Sequence, residues 1–451
     1  MSLGIAEFPL RTWLQKSPSL TGVFEADKPA LGCYVQAGAA LLDMLGPLPG
    51  RTCEQAREAQ AIHTACRTLR QRFLTCHAEH LYRLLTDDFT IRIGLRDMAF
   101  AAAELCPGLV PTRAQLARER SGLQRDKEGY EIDQGMFFHR LFRSQRVGTH
   151  MVETALQPTA RALELIGDFR SSARVDLGSV LIERQGCAAH LTMNNAHCLN
   201  AEDDRLVEDM ETAVDLALLD DQVRVGVLRG GVMTHPRYAG RRVFSAGINL
   251  KALHAGQISF VDFLLRREFG YLNKISRGLL LDNEAALAPG FRIHQSPQGK
   301  PWIAVVESFA IGGGAQLLLV VDRVIAENGS YFSLPAAQEG IVPGFANLRL
   351  GRFLGSRASR QVILYGRKIS TSDRDAGLLF DESVHPEEMD AAIERNVQQL
   401  SSPAVSANRH MLNLADETVE AFLRYACEFA LLQSERLYSP DVLDKVRNAH
   451  H

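Results

Sequence analysis

Hydrophobic residues are spaced in two ways along this chain. From about Pro29 to Leu165 they recur three and four apart: Ala37, Leu41, Met44 and Leu45 in one stretch, and Ile62, Leu69, Phe73, Leu81 and Leu84 in another running from Glu54 to Leu85. That spacing puts apolar side chains on one face of a helix and leaves Arg, Gln and Glu on the other. Met98–Leu105 continues the Ala- and Leu-rich texture. Asp126–Glu131 is a charged, Gly-containing breaker, Gln134–Gly148 mixes aromatics with Arg, and Met151–Ile166 returns to helical spacing. The pattern predicts an all-helical N-terminal domain over residues 1–172.

From about Val175 the pattern shortens. Val180–Arg184 and Ala189–Met193 are brief apolar runs broken by Gln185-Gly186, as in a hairpin. Glu202–Leu219 reads as an amphipathic helix. Val223–Leu228, Trp302–Val306 and Arg323–Ala326 read as strands, and Ala315–Val321 as an apolar helix. Pro386–Leu400 and Glu417–Leu437 read as helices. Repeated ββα units predict an α/β domain over residues 173–451.

Composition narrows the function classes. The 451 residues suffice for about two or three domains. Lys plus Arg is 50 against 53 for Asp plus Glu, a net charge of −3, so no basic surface for neutralising phosphates is expected and nucleic acid is not an expected partner. No apolar run approaches the roughly 20 residues that cross a bilayer, so no membrane partner is expected either. The N-terminus lacks a basic segment followed by an apolar one, so no signal peptide is expected. The eight cysteines form no Cys-x-x-Cys pair and suit free thiols of a reducing cytosol, hence a cytoplasmic protein. Cys76-His77-Ala78-Glu79-His80 offers His and Glu as metal ligands. On a helix, however, His77 and Glu79 point about 200° apart and do not converge, so no metal site is expected.

Two glycine segments carry the candidate chemistry. One is Val243-Phe244-Ser245-Ala246-Gly247-Ile248-Asn249-Leu250; the other is Ala310-Ile311-Gly312-Gly313-Gly314-Ala315-Gln316. Each ends a strand and opens a helix, where glycine lets backbone N–H groups approach a ligand. Two such groups aimed at one point would stabilise an enolate oxygen. Singly, each reads better as an ordinary strand–helix turn.

With Leu181-Ile182-Glu183-Arg184, Leu199-Asn200-Ala201, Val223–Leu228 and Gly340-Ile341-Val342-Pro343-Gly344 in the same order, the region from Val175 onward resembles the enoyl-CoA hydratase/isomerase, or crotonase, superfamily. The resemblance implies a crotonase-like spiral of ββα units, an acyl-CoA substrate, and homo-oligomers that are trimers or dimers of trimers. It also implies an oxyanion hole from the N–H groups of Ile248 and Gly313, with Ala246, Gly247, Asn249, Gly312 and Gly314 shaping the turns around the substrate. Where a hydratase of this family has its two catalytic Glu residues, this chain has Gln316 and, after Phe332-Ser333-Leu334-Pro335, Ala336. An amide and a methyl group cannot activate water.

Ser245–Lys251, Phe263-Leu264-Leu265-Arg266-Arg267-Glu268, Ala310–Leu319, Tyr331–Ala337 and Arg349-Leu350-Gly351-Arg352-Phe353 are similar to the superfamily's cofactor-independent aryl-acetyl-CoA dioxygenases, and the helical N-terminal half extends the likeness over nearly the whole chain. This branch serves glycopeptide antibiotic biosynthesis. It implies that 3,5-dihydroxyphenylacetyl-CoA and O2 give the arylglyoxylate and free CoA, with no metal or organic cofactor. Glu202 and Arg267 would then contact the ring hydroxyls or their network, and Gln316 would lie beside the reacting carbon. Ile341 would line the oxygen pocket, and His235, Arg237 and Tyr238 would lie on CoA. From the residues alone, Arg266-Arg267 reads as a solvated helix face, Glu202 as first-turn charge, Gln316 as a buried amide and Ile341 as core. A hydratase or isomerase, or a non-catalytic assembly protein on a decayed crotonase fold, stays open.

Overall fold

The structure, a computed structural model, describes residues 7–281 and 298–448. The chain forms two compact units. One holds the residues up to Met151, residues 254–261 and those from Ala426 onward; the other holds Val152–Leu253 and Asp262–Tyr425.

The first unit is helical. Its longest element, Cys53–Leu85, starts at a capping box in which Thr52 accepts from Gln55 N–H and the Gln55 side chain accepts from Thr52 N–H. Ile62, Leu69, Phe73 and Leu81 are buried along it, as the three-and-four spacing predicts. The expected breaker ends early. Gly129 takes φ of +83°, and the helix Tyr130–Arg143 starts directly after it, because only a residue without Cβ enters that conformation cheaply.

The stretch Met151–Ile166 is two helices, Gln145–Ala155 and Ala160–Ser172, parted around Pro158. The second is anchored within the α/β unit, where Thr159 N–H donates to Asp215 and Arg161 pairs with Asp209 at 2.7 Å. The compact units therefore divide the chain at other places than the 172/173 division drawn from the sequence. Spacing reports that a segment is a helix with one apolar face, not which neighbour covers that face.

Among the described residues the second unit has ten strands: β1 Arg174–Asp176, β2 Val180–Gln185, β3 Ala188–Met193, β4 Val225–Gly230, β5 Trp302–Val306, β6 Phe309–Ile311, β7 Arg323–Glu327, β8 Tyr331–Ser333, β9 Ile369–Ser370 and β10 Glu382–Val384. Seven form one sheet in the order β1-β2-β3-β4-β5-β7-β10, antiparallel through β1, β2 and β3 and parallel beyond. The central parallel strands β4 and β5 are buried along nearly their whole length, as strands covered on both faces must be. Val225, Val227, Ile303, Val305 and Ile325 pack there against Met389, Ile393 and Val397 of the helix Met389–Leu400. β6, β8 and β9 form a separate small sheet.

The apolar helix expected over Ala315–Val321 is a short one, Gly313–Leu317. The tail gains two helices that the spacing did not indicate, Pro403–Asp416 and Pro440–Asn448. No helix among the described residues is long and apolar enough to cross a membrane.

Candidate active site

The two glycine segments lie side by side. Ser245 pairs in parallel with Ala310, and Ile311 N–H donates to Ser245 O at 2.9 Å. A Cβ on Gly247 would sit 2.9 Å from Ile311 O and 3.2 Å from Gly313 N, and one on Gly312 would sit 4.0 Å from Ile248 N. Both glycines have positive φ, +85° and +53°, so glycine is needed here for conformation and for space. Around the first turn, Glu202 N–H donates to Gly247 O and Asn249 N–H donates to Glu202 O. The amides of Ile248 and Gly313 donate to no group among the described residues. Two unpartnered N–H groups in adjoining turns are the geometry that an oxyanion needs.

The first turn is clamped from behind. Leu199 and Asn200 adopt left-handed φ of 60° and 54°. Ala246 N–H donates to Leu199 O, Ser245 Oγ to Asn200 O, and Asn200 Nδ2 to Val243 O at 2.8 Å. Two consecutive non-glycine residues in that region are strained, and such strain gathers at functional sites. Sequence reading used Leu199-Asn200 only as a matching motif; strain of this kind leaves no trace in spacing.

Glu202 is not a first-turn residue. The helix Asp204–Leu219 is capped by Asp203, whose carboxylate accepts from Leu206 N–H, and Glu202 precedes it in the bridge to Ile248. Its buried carboxylate takes Arg267 in a fork, from Nε at 2.5 Å and Nη2 at 3.3 Å. A Cβ on Gly313 would strike that carboxylate.

Arg267 is buried, not a solvated helix face. It sits on Arg266–Phe269, entered through one turn of π-helix, Phe260–Leu265. Its Nη2 also donates to Gly313 O at 2.6 Å, and Nη1 donates to Gln316 Oε1 at 2.9 Å and Glu268 Oε1 at 3.1 Å. These contacts occupy all five guanidinium N–H groups. Arg267 therefore reaches a substrate only by releasing a protein acceptor, and its structural office is to hold Glu202, Gln316 and the Gly313 turn together. Arg266 binds Glu211 at 2.7 Å, so it too is committed to a buried carboxylate.

The remaining expected residues fall as follows. Gln316 and Gly314 are buried in the short helix. Ile341 is half-buried in the turn after Ala336–Glu339, its N–H donating to Ala336 O. The Asn249 side chain accepts from Ala252 N–H. His235, Arg237 and Tyr238 lie on the single 3-10 turn Pro236–Tyr238 and its cap. Arg237 is exposed with no carboxylate partner among the described residues. Tyr238 packs edge-on against Phe309, which meets Tyr331, over whose ring Lys368 lies.

Sequence reading missed the outer layer of this site. Glu268 is buried between Arg267 and Arg349, and Arg349 is gripped in a fork by Glu417 at 3.0 and 3.1 Å. Glu268, Arg349 and Glu417 are far apart in sequence, and only the fold joins them.

His77 and Glu79 part company, as their helical offset requires. His77 Nε2 bonds Asp27 at 2.8 Å, and Glu79 accepts from Ser144. Burial opposes the charged form of Asp27, yet the Thr21 and Gly22 N–H groups and His77 hold its carboxyl down to about 2. The structure does bring His139, Cys427 and Glu428 together in the helical unit, close enough to share an ion. Nothing in the spacing of these residues indicated that grouping. His139 Nδ1 and Cys427 Sγ are already engaged with each other's backbone carbonyls, and burial pushes the Cys427 thiol up to about 11, which disfavours the thiolate that a metal needs.

The chain belongs to the enoyl-CoA hydratase/isomerase family, the crotonases, and is an enzyme. The family model described as enoyl-CoA hydratase/isomerase matches residues 291–431. Among named proteins, the chain is 52% identical over 430 residues, 95% of its own length and 97% of the relative's, to (3,5-dihydroxyphenyl)acetyl-CoA 1,2-dioxygenase of Amycolatopsis orientalis. It is 29% identical over 57% of its length, and 89% of the relative's, to a probable enoyl-CoA hydratase of Rhizobium meliloti. Among solved structures, an enoyl-CoA hydratase from Mycobacterium avium subsp. paratuberculosis matches at a TM-score of 0.48 and 20% identity, covering 61% of this chain and 96% of that one.

Proposed function

We propose that this enzyme converts 3,5-dihydroxyphenylacetyl-CoA and O2 into 3,5-dihydroxyphenylglyoxylate and free CoA, with no metal or organic cofactor. The observation that carries the reading is the pair of unpartnered amides, Ile248 and Gly313, in adjoining turns. A thioester oxygen held there acidifies the adjacent benzylic carbon, and the enolate formed spreads its charge into the dihydroxyphenyl ring. Such a carbanion passes one electron to O2. The radical pair combines into a peroxide at that carbon, and the peroxide adds to the thioester carbonyl and expels CoA thiolate. Loss of the second benzylic proton, taken up by the departing CoA thiolate, with cleavage of the O–O bond then leaves the α-keto acid as its carboxylate. Both oxygens of O2 end in the product, and the substrate supplies every electron.

The protein's part is to position the substrate, hold charge and exclude water. Glu202, locked by Arg267, keeps acceptor capacity for a ring hydroxyl, and Gln316 offers its amide N–H2 beside the reacting carbon. Ile341 lines the place for O2. Arg237, without a carboxylate partner, is free to meet a CoA phosphate. Gln316 and Ala336 at the hydratase carboxylate positions speak against hydration, and the open oxyanion amides speak against a non-catalytic scaffold. Met411, Leu412 and Leu414 are 64, 63 and 50% exposed on Pro403–Asp416, an apolar run that supports a homo-oligomer, a trimer or a dimer of trimers.

The test is oxygen uptake on adding 3,5-dihydroxyphenylacetyl-CoA after exhaustive chelation, with metal content assayed on the same sample. Uptake at full rate supports the reading. Activity that returns only with added Fe2+ sinks its cofactor-free part.

A further inference from the structure

The proposed reaction uses Glu202, Arg267 and Gln316, but not the buried acid beside them. Among the described residues Glu268 hydrogen-bonds to donors only. Its Oε1 accepts from Arg267 Nη1 at 3.1 Å and Phe345 N–H at 3.3 Å, and its Oε2 accepts from Arg349 Nη1 at 3.4 Å. A carboxylate satisfies that ring of donors, whereas an amide of the same shape must turn its N–H2 toward one of them. Arg349 is itself fixed by the fork from Glu417.

Arg267 Nη1 is shared by two oxygens, Glu268 Oε1 and Gln316 Oε1. Both press on the bare Cα of Gly344, where φ is +43° and any Cβ would collide with each of them. The carbonyl of Gly344 is held in turn by Tyr425 Oη at 2.8 Å. A guanidinium only donates, so the Gln316 atom facing it is the amide oxygen, and the N–H2 faces the other way. That N–H2 donates to no group among the described residues.

We propose that Glu268 is a positioning residue for the oxygen step: seated on Gly344 and anchored by Arg349, it holds Arg267 Nη1 against Gln316 Oε1 and so keeps the Gln316 N–H2 turned toward the reacting carbon. This rests on the function proposed above. Glu268 touches no reacting atom. It acts through Gln316, at the stage where O2 becomes a bound peroxide, and not through the oxyanion amides that form the enolate.

Two rates separate these stages: anaerobic deuterium exchange at the benzylic carbon, and oxygen uptake in air, each measured on wild type, Glu268→Gln, Gln316→Ala, the double variant and Gly344→Ala. Glu268→Gln should lower kcat for uptake by about 10- to 100-fold, with KM and the exchange rate within about threefold of wild type. The double variant should be no slower than Gln316→Ala alone, because the two residues act as one unit. Gly344→Ala should reproduce the same ratio of uptake to exchange, and it decides the matter if Glu268→Gln fails to fold. Uptake unchanged in Glu268→Gln, exchange falling as far as uptake, or losses that multiply in the double variant would each overturn the inference. A wild-type enzyme that neither exchanges nor takes up oxygen overturns the proposed function and this inference with it. A wild type that does both while Glu268→Gln matches it overturns only the inference.

Discussion

The helical unit and the α/β unit both bury acids and bases, but they connect them differently. In the helical unit several carboxylates are each closed by their own neighbours. Asp27 is taken by Thr21, Gly22 and His77; Asp133 is shared by Arg67 and Arg70; Glu128 is held by Arg51 and His63. In the α/β unit, Glu202, Glu268, Gln316 and the Gly313 carbonyl all meet at one guanidinium, Arg267. Small closed groups pin helices together and tolerate losing a member. A hub fixes several groups relative to one another, which suits a site where orientation is the catalytic asset, but nothing replaces it when it is removed.

The severest way to break the α/β side is at the turn itself. Gly313→Val should abolish both benzylic exchange and oxygen uptake, a loss of at least about 1000-fold, while circular dichroism stays native. A side chain there meets the Glu202 carboxylate and displaces the N–H. Unimpaired exchange in this variant would show that the turn does not hold the enolate oxygen.

Next comes the hub. Arg267→Ala should lower kcat/KM by about 30- to 1000-fold, roughly 2–4 kcal/mol in the transition state. It should also reduce stability in denaturant by about 3–5 kcal/mol, because Glu202 is left in the interior without a cation. Arg266→Ala should show the stability loss without the kinetic one, since Arg266 serves Glu211 instead. Equal kinetic losses in both variants would erase the distinction.

The helical unit should answer to pH. Burial, reinforced by Glu131, raises the Glu119 carboxyl to about 7 against the pull of Lys127 and two backbone N–H groups. A folded pKa above the unfolded one means that its contribution to stability is whole below the unfolded value, near 4.5, and is lost as pH rises through about 7. Glu119→Gln should therefore raise the melting temperature at pH 8, by up to about 3 kcal/mol of stability, and change little at pH 4.5. A melting curve shifted equally at both pH values contradicts this. The smallest effect should come from Arg67→Ala. Arg70 still holds Asp133, so the loss should be about 1 kcal/mol with oxygen uptake unchanged.

Much of this was legible in the residues. The strand pattern 180–184, 189–193 and 302–306 appeared in place, because period-two and continuous apolar runs are local facts. The glycines of the two turns were legible for the same reason: a backbone that must take positive φ or admit a close neighbour announces itself in one residue. Gln316 and Ala336, at the positions that the family resemblance gives to a hydratase's two Glu residues, spoke against a pair of catalytic carboxylates. Helix edges were less legible, as Pro403–Asp416 shows, since its apolar residues face outward and break the expected spacing.

What only the tertiary structure decided was connection. Arg266-Arg267 reads as a charged surface until the fold supplies Glu211 for one and Glu202, Glu268 and Gln316 for the other. Glu268 finds Arg349 across a separation of 81 residues, and Arg349 finds Glu417 across 68. Helix Ala160–Ser172 reads as part of the helical half until Asp215 and Asp209 claim it. A sequence fixes which residues carry charge, bulk or a free φ, because those are properties of single side chains. Which charge is buried, and against what, depends on how strands and helices stack, and no spacing along one chain encodes the partner on another element.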